Sequence, residues 1–592
     1  MEMDDGLGVD EVFLSVPSRG GWLYFRRPLA VLAAYQMGEV LPALEEVNAQ
    51  IGRGRWAAGF LAYEAAPAMD SALRVRAPAP NSPFPLLWLG VYEEPAFLRQ
   101  LPGQPLPEAP TEISLPGPWT PHLAEDEYEQ AILTIKERIA RGETYQVNYT
   151  YRLRAAYTGP AWPVFAALAA WQPPPYAAFL QTVDFALASL SPELFLEQNG
   201  LTITSRPMKG TAPRGRTSAE DRAWAAWLRA SEKNRAENVM ITDMVRSDMG
   251  RVARTGSVRV PALFDIEQYP TVWQMTSTVQ AETSAPLSEI LRALFPAASI
   301  TGAPKVRTTQ IIAALENAPR QAYCGAIGYC GPNRQAQFNV AIRTLAFDRR
   351  AGQVEYGVGG GIVWDSDPRE EWEETHAKAR VLREAPQPFR LIETLRWTPE
   401  ESWFLLESHL ARLAASAEYF CFCLDLDDLR RQLVELAAGF TGHPMRARLE
   451  LAHDGAVTLQ AEPLGEKPLP RRIGLARTPV SSTDRFLYHK TTRREVYRRA
   501  LAECPGCDEA LLWNERGEIT EATIANVAVL LEGRLVTPPV ECGLLAGTYR
   551  QWLLESGQAV EGVVKAADLG RCAQIWLMNS VRGLWSVEIR RV

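Results

Sequence analysis

Leu201-Thr202-Ile203-Thr204-Ser205-Arg206-Pro207-Met208-Lys209-Gly210-Thr211 is the stretch around which the chain is organised. Leu201 to Thr204 alternate apolar and polar side chains, the period of a half-buried strand. Pro207 and Gly210 then predict a turn that carries Lys209 at a strand end. Lysine is scarce here: 8 of the 62 basic residues are Lys and the rest are Arg. That scarcity makes Lys209 a candidate for chemistry. A solvated turn lysine is the plain alternative.

The 592 residues exceed what one core supports, and roughly 150 residues per domain predicts two to four modules. The composition, 47% hydrophobic and 22% charged, is that of a globular protein. A net charge of -8 argues against a general nucleic-acid binder. No apolar run approaches the roughly 20 residues of a membrane span. The acidic start Met1-Glu2-Met3-Asp4-Asp5 does not resemble a signal peptide, so a cytoplasmic location is the expectation. Eight Cys fit a reducing compartment. Cys504-Pro505-Gly506-Cys507 has no second CxxC to complete a zinc site and reads as incidental thiols at a helix end. The six His show no metal-ligand spacing, so any metal is expected on oxygen ligands.

Working outward, Gly59 to Ala65 reads as a buried strand, and 101–121 as a proline-rich connector. Tyr128, Ile132, Ile135 and Ile139 recur at helical spacing behind an acidic start, and Arg141-Gly142 closes that helix. Strands are predicted at 147–153, 176–182, 185–190, 193–197, 323–330 and 336–345. Helices are predicted at 231–245, 305–316 and 368–383. Ala385-Pro386-Gln387-Pro388 marks the domain boundary. The first domain is therefore 1–385, with an N-terminal region (1–115) and a catalytic region (120–385). The linker is 386–389 and the second domain 390–592. Past the linker the pattern restarts with a strand at 390–396, a helix carrying His409-Leu410-Ala411-Arg412-Leu413, and a strand at 445–452.

Glu371 and Glu374 are three apart on a predicted helix and share a face, while Glu237 lies on another helix. Three converging carboxylates would suit Mg²⁺, which prefers oxygen and keeps several waters. Arg369-Glu370-Glu371-Trp372-Glu373-Glu374 also reads as a solvated acidic face. Gly359-Gly360-Gly361 is a candidate for close backbone approach to an anion, and Arg343 for clamping a carboxylate with its planar fork.

Together these stretches resemble the chorismate-utilising enzymes, which include anthranilate synthase component I, aminodeoxychorismate synthase component I and the isochorismate synthases. The resemblance runs through much of 120–385. It rests on Ser191-Pro192-Glu193, Arg206 to Thr211, Glu237 to Asp243, Ile300-Thr301-Gly302-Ala303-Pro304-Lys305, Tyr323 to Tyr329, Ala341-Ile342-Arg343-Thr344, and Gly359 through Glu374. It implies an α+β fold with a β-rich chorismate-binding domain like anthranilate synthase component I. It also implies Mg²⁺ on Glu237, Glu371 and Glu374. Substrate carboxylates would go to Arg343, Tyr323, Thr301 and the backbone of Gly359, Gly360 and Gly361. Glu193 would be the general acid. A Lys at position 209 resembles the aminodeoxychorismate synthases, where the amine attacks the ring and ammonia then displaces it; anthranilate synthases carry a small residue there. Gln274 stands where relatives usually have His, a residue tied to pyruvate elimination in anthranilate synthase.

In the second half, Lys490, Glu521 and the Gly547-Thr548 turn make a constellation for pyridoxal 5'-phosphate (PLP), with an ordinary αβ domain as the alternative. Residues 390–592 resemble the fold-type IV PLP enzymes, the class IV aminotransferases and aminodeoxychorismate lyase. The resemblance implies that Lys490 holds PLP and acts as base. Glu521 would pair the ring nitrogen. Arg412, Ile524, Asn526, Gly547 and Thr548 would line the cofactor site. Met578 to Trp585 is more like the lyases than the transaminases. The joint expectation is a fusion that aminates chorismate and then releases pyruvate to give 4-aminobenzoate. No Gly-x-Cys-x-Gly elbow is present, so ammonia is expected from a separate glutamine amidotransferase subunit. By analogy a homodimer would form through the PLP domain. The alternative is anthranilate synthase component I fused to a class IV aminotransferase acting on branched-chain or D-amino acids.

Overall fold

In the computed structural model, the strand Glu11–Val16 points Val12, Leu14 and Val16 into one core and Phe13 into another. Trp56–Leu61 repeats the pattern, with Ala58 and Phe60 on one face and Ala57 and Leu61 on the other. Strands buried on both faces imply two sheets packed face to face with a further layer outside each. The structure describes residues 7–78, 82–102, 116–170, 174–382, 388–465, 469, 472–531, 533–572 and 574–590. These fall into two compact units, residues 1–212 with 227–388, and residues 213–226 with 389–592.

The first unit has two ten-stranded sheets. One includes Gln146–Ala156 near one end, where it pairs antiparallel with Gln353–Ile362. The other ends in Met208–Pro213, Val272–Glu282 and Thr202–Arg206. Helices Glu125–Ala140, Ala161–Ala170, Lys305–Leu315 and Pro368–Ala379 accompany the first sheet, and Met37–Gly52, Glu232–Gly250 and Leu287–Leu294 the second. Glu125–Ala140 forms as its spacing predicts: Tyr128, Ala131, Ile132 and Ile135 are buried, and the Glu127 carboxylate accepts from Ala124 N at 3.0 Å. Each such buried apolar side chain contributes about 1.5–3 kcal/mol.

Several expectations change. The turn predicted at Pro207–Gly210 is a strand interrupted at Pro207, and Lys209 lies in its continuation, Met208–Pro213. Proline offers no N–H, but its carbonyl accepts from Ser277 N at 3.2 Å, so the ladder resumes at once. The strand predicted at 336–345 is two, Gln335–Val340 and Thr344–Asp348, because Arg343 adopts a left-handed φ of 52° between them. The strand predicted at 59–65 is Trp56–Leu61, and the helix predicted to end at 245 runs to Gly250. The N-terminal region shares both sheets with the catalytic region, and among its described residues no separate sheet forms. Most of the 101–121 connector, and positions 386 and 387 of the linker, lie outside the described residues.

The second unit holds a four-stranded sheet, with Leu391–Thr398 at its centre beside Met445–Leu451, and helices Leu406–Phe420 and Leu426–Ala438. An eight-stranded mixed sheet follows, in which Ile519–Ala522 pairs with both Glu509–Trp513 and Asn526–Leu531 and so closes a ring of six strands. Residues 213–226, which fall inside the expected first domain by sequence, belong to this unit. Among the described residues no helix is long and apolar enough to cross a membrane. The eight cysteines are free, Cys504 and Cys507 included, just past the helix Glu495–Ala502.

Candidate active sites

In the first unit the site assembles where the Lys209 strand meets the open end of Gln353–Ile362. The neighbouring strand pairs only as far as Tyr356, so residues 357–362 keep one edge out of that ladder. Gly359, Gly360 and Gly361 lie in extended strand. Their lack of side chains makes room. A Cβ at Gly361 would collide with Lys209 Nζ and lie 2.5 Å from Gln146 Nε2. A Cβ at Gly360 would lie 2.8 Å from Glu371 Oε2.

Asn238, on the helix Glu232–Gly250 that carries Glu237, holds the Lys209 backbone. Its Nδ2 donates to Lys209 O at 3.0 Å and Met275 O at 3.3 Å. Gln274 Nε2 donates to Gly210 O at 2.9 Å and braces the next residue. Burial pushes the Lys209 ammonium pKa down, while Glu237 and Glu193 pull it back up. Glu193 is 4% exposed, and burial pushes its carboxyl up to about 7 against the charge of Lys209. Lys209 and Glu193 thus shift each other's pKa, an acid/base arrangement of the kind found at reaction centres.

The helix Pro368–Ala379 begins on an Asp367 cap, whose carboxylate accepts from Arg369 N and Glu370 N at 3.0 and 3.1 Å. Trp372, Thr375 and Ala379 face inward. Glu371, Glu374 and Lys378 therefore line another face, at i, i+3 and i+7. Ser366 Oγ donates to Glu371 at 2.7 Å. Lys378 pairs with Glu374 at 2.6 Å and donates to Gly359 O at 2.8 Å. Burial first, and Glu374's charge among the further causes, raise the pKa of Glu237 and Glu371. Lys378 lowers that of Glu374. The donor set is all oxygen and its carboxylates repel one another, which suits a dication such as Mg²⁺. Among the described residues no group of three or more His, Cys, Asp or Glu side chains is placed to hold a metal ion, so Glu237, Glu371 and Glu374 do not form a ready-made metal site as they stand.

Arg343 is partly exposed, holds its left-handed backbone, and makes no ion pair among the described residues. Tyr323 is buried with the Arg152 guanidinium 4.9 Å from its ring centroid. The Thr301 hydroxyl donates to Ala297 O and Ala298 O at 3.1 and 3.2 Å, so its proton is spent within its own turn. Three residues passed over in the sequence reading also belong here. Lys378 was legible as another scarce lysine, four residues after Glu374. Asn238 and Gln146 carried no comparable signal. Gln146 is fully buried, and among the described residues neither its Nε2 nor its Oε1 finds a hydrogen-bond partner.

In the second unit Lys490 lies outside the regular strands. Its carbonyl accepts from Ile392 N at 2.9 Å, which ties it to the strand Leu391–Thr398. Burial and then Arg412 push its ammonium down to about 8. Glu521 is 5% exposed, accepts from Tyr497 Oη at 2.7 Å, and is pushed up to about 7 by burial. Lys490 and Glu521 each perturb the other's titration, so they share one site. Arg412 is held by Glu393 through two bonds of 2.8 and 2.6 Å and donates to Ala546 O at 3.2 Å. Asn526 Nδ2 donates to Leu545 O at 2.8 Å. Gly547 precedes the helix Thr548–Glu555, and a Cβ there would collide with Asn526 Oδ1. Thr548 Oγ1 lies 3.2 Å from His409 Nε2, and Ile524 is 46% exposed. A buried carboxylate with a raised pKa fits a pyridinium nitrogen, and a helix start beside Arg412 fits a phosphate. The sequence reading missed Glu393, which accepts from His409 at 2.7 Å as well as from Arg412. Its signal was a carboxylate on the strand face shared with buried Leu391 and Leu395.

The profile of the chorismate binding enzyme family matches residues 26–384, and that of amino-transferase class IV matches residues 390–589. An aminodeoxychorismate synthase of Streptomyces griseus is 43% identical over 296 residues, which are 49% of this chain and 39% of that protein. Aminodeoxychorismate synthase component 1 of Escherichia coli is 41% identical over 276 residues, 46% of this chain and 60% of that protein. The chain thus covers less than two thirds of the length of either relative. The crystal structure of anthranilate synthase component I from Streptococcus pneumoniae superposes with a TM-score of 0.53 at 22% identity, covering 65% of this chain and 95% of that one. The likeness shows a shared fold for the first unit.

Proposed function

Because this chain belongs to the chorismate binding enzyme family and continues into a class IV aminotransferase domain, we propose that it converts chorismate to 4-aminobenzoate in two steps. The observation that carries the first step is the half-buried Lys209 amine, its pKa lowered by desolvation and pulled back by Glu237 and Glu193. A lowered pKa leaves more of the amine unprotonated, and the free amine is the nucleophile. Lys209 would attack C2 of the ring as the C4 hydroxyl leaves, taking a proton from Glu193. Ammonia would then add at C4 and expel the lysine, giving 4-amino-4-deoxychorismate. Mg²⁺ on Glu237, Glu371 and Glu374 would neutralise the ring carboxylate and ease departure of the hydroxyl. Arg343, with no carboxylate partner among the described residues, would take a substrate carboxylate.

In the second step, PLP would supply an electron sink at the carbon bearing the amino group. Glu521 would pair the ring nitrogen, and Arg412, Thr548, Gly547, Asn526 and Ile524 would orient the cofactor. Lys490, poised near neutrality, would remove the C4 proton, and loss of pyruvate would leave the aromatic amine. Because the Escherichia coli relative is a component 1, a glutamine amidotransferase subunit is the proposed ammonia donor.

One assay tests both steps: chorismate, Mg²⁺ and ammonium with wild type, Lys209→Ala and Lys490→Ala. Wild type is expected to make 4-aminobenzoate, Lys209→Ala no product, and Lys490→Ala to accumulate aminodeoxychorismate. The 2-isomer from wild type would point to anthranilate synthesis instead. Turnover of glutamine by the chain alone would remove the partner.

A further inference from the structure

The second unit is not one continuous stretch of chain. The sequence leaves the Lys209 strand after Ala212, spends residues 213–226 in the second unit, and returns at Trp227 toward the Glu237 helix. What this excursion packs against is the segment next to Lys490.

Arg214 and Asp221 close a clasp within the excursion. Arg214 Nε and Nη2 each donate to Asp221 at 2.8 Å, and both side chains are 5% exposed. Gly215 N adds a third bond to the same carboxylate at 2.8 Å. The clasp grips Tyr419 from three sides. Arg214 Nη2 donates to Tyr419 O at 2.7 Å, the guanidinium lies 4.5 Å from the ring centroid, and Tyr419 Oη donates to Gly215 O at 2.6 Å. Ser218 Oγ anchors the same helix one turn earlier, at Ala415 O, 3.0 Å away.

Tyr419 in turn stacks on His489 at 4.3 Å, and Ser416 Oγ meets His489 Nδ1 at 2.9 Å. Phe420 meets the same imidazole edge-on at 4.8 Å. His489 is 5% exposed, and the next residue is Lys490. The chain of contact therefore runs from Asp221 through Arg214 and Tyr419 to the residue beside Lys490. A doubly bonded Arg–carboxylate pair sealed from water holds one geometry, unlike an exposed pair.

Resting on the reading of Lys490 as the cofactor lysine, we propose that the Arg214–Asp221 clasp is a positioning device of the Lys490 site: it seats Tyr419 on His489 and so keeps the base of the Lys490 side chain dry. On this account residues 213–226 complete the second site, and residues 389–592 alone lack its backing.

The test uses full-length protein without cofactor. The pH dependence with which trinitrobenzenesulfonate modifies Lys490, read by peptide mass mapping, reports the state of its amine. The wild-type midpoint is expected near pH 8. Asp221→Asn breaks the clasp and admits water, which favours the ammonium, so its midpoint should rise by about half a unit or more. Tyr419→Leu removes the stack without touching the clasp and should shift the midpoint the same way. Arg222→Ala alters an exposed pair on the same segment, with Glu418 at 3.3 Å, and should leave it in place. Near-UV circular dichroism and a thermal unfolding profile matching wild type show that a variant is folded. An unmoved midpoint in folded Asp221→Asn overturns the proposal. If Asp221→Asn does not fold, an unmoved midpoint in Tyr419→Leu does so. Borohydride trapping of PLP on a lysine other than Lys490 would reject the cofactor reading itself, an outcome distinct from an unmoved midpoint.

Discussion

The Lys209 amine occupies the space that a side chain at Gly361 would need. The two residues lie in different sheets of the first unit, and the missing Cβ on one strand admits the lysine from the other. Gly361→Ala is therefore expected to push the amine off its line of attack. A displacement near 1 Å costs about 10²-fold in rate, so amination with ammonium should fall at least that far. Aminodeoxychorismate supplied directly should still be consumed. Amination within a few-fold of wild type would show that the amine does not work from this position.

Gln146 carries, beside the same glycine, a buried amide with no hydrogen-bond partner among the described residues. An unsatisfied buried polar group costs about 1–3 kcal/mol. Gln146→Leu is expected to leave thermal stability equal or raised, while amination falls at least about tenfold because the amide beside the Lys209 amine is lost. A lowered melting temperature with full activity would reverse that assignment.

Burial holds the Glu193 carboxyl at about 7, so it is protonated below that pH. A general acid works in its protonated form. Amination should therefore decline as pH rises through about 7. Glu193→Gln should lose that limb and be slower at every pH by about 10²-fold. Persistence of the limb in the variant would assign it to another group.

Lys378 competes for Glu374 at 2.6 Å, with side chains 40% and 51% exposed. Exposed pairs contribute about 0–1 kcal/mol, so Lys378→Gln should barely change stability. Freed of its cation, the carboxylate should bind Mg²⁺ several-fold more tightly, as calorimetric titration without chorismate would show. Weaker binding would make Lys378 a support of the metal site.

Arg412 and His409 together outweigh burial and hold the Glu393 carboxyl at about 2. A carboxyl depressed on folding stabilises the protein above its unfolded pKa, and that stability disappears as pH falls through the folded value. Two pKa units correspond to about 3 kcal/mol. The urea midpoint of the second unit should therefore fall as pH drops from about 5 toward 2. Glu393→Gln should be less stable at neutral pH and lose this part of the acid dependence.

The sequence was most legible where one element carries the whole signal. Scarcity singled out Lys209, helical spacing placed Glu125–Ala140 with its buried Tyr128, Ile132 and Ile135, and the three-residue step put Glu371 and Glu374 on one face. A few motifs in order were enough to indicate the family. The failures were of geometry. The turn read at Pro207–Gly210 is a strand, and Gln146 passed unnoticed as one more polar residue at a strand start.

By itself, then, the sequence determined the elements, the division into two halves and the kinds of chemistry available, because periodicity, caps and scarce residues act over a few positions. Only the tertiary structure decided that Gly361 clears space for Lys209, that Glu393 fixes Arg412, and that residues 213–226 belong to the second unit. Those are encounters between segments far apart in the chain. They depend on sheet register and on which side chains exclude one another, and no local pattern encodes either.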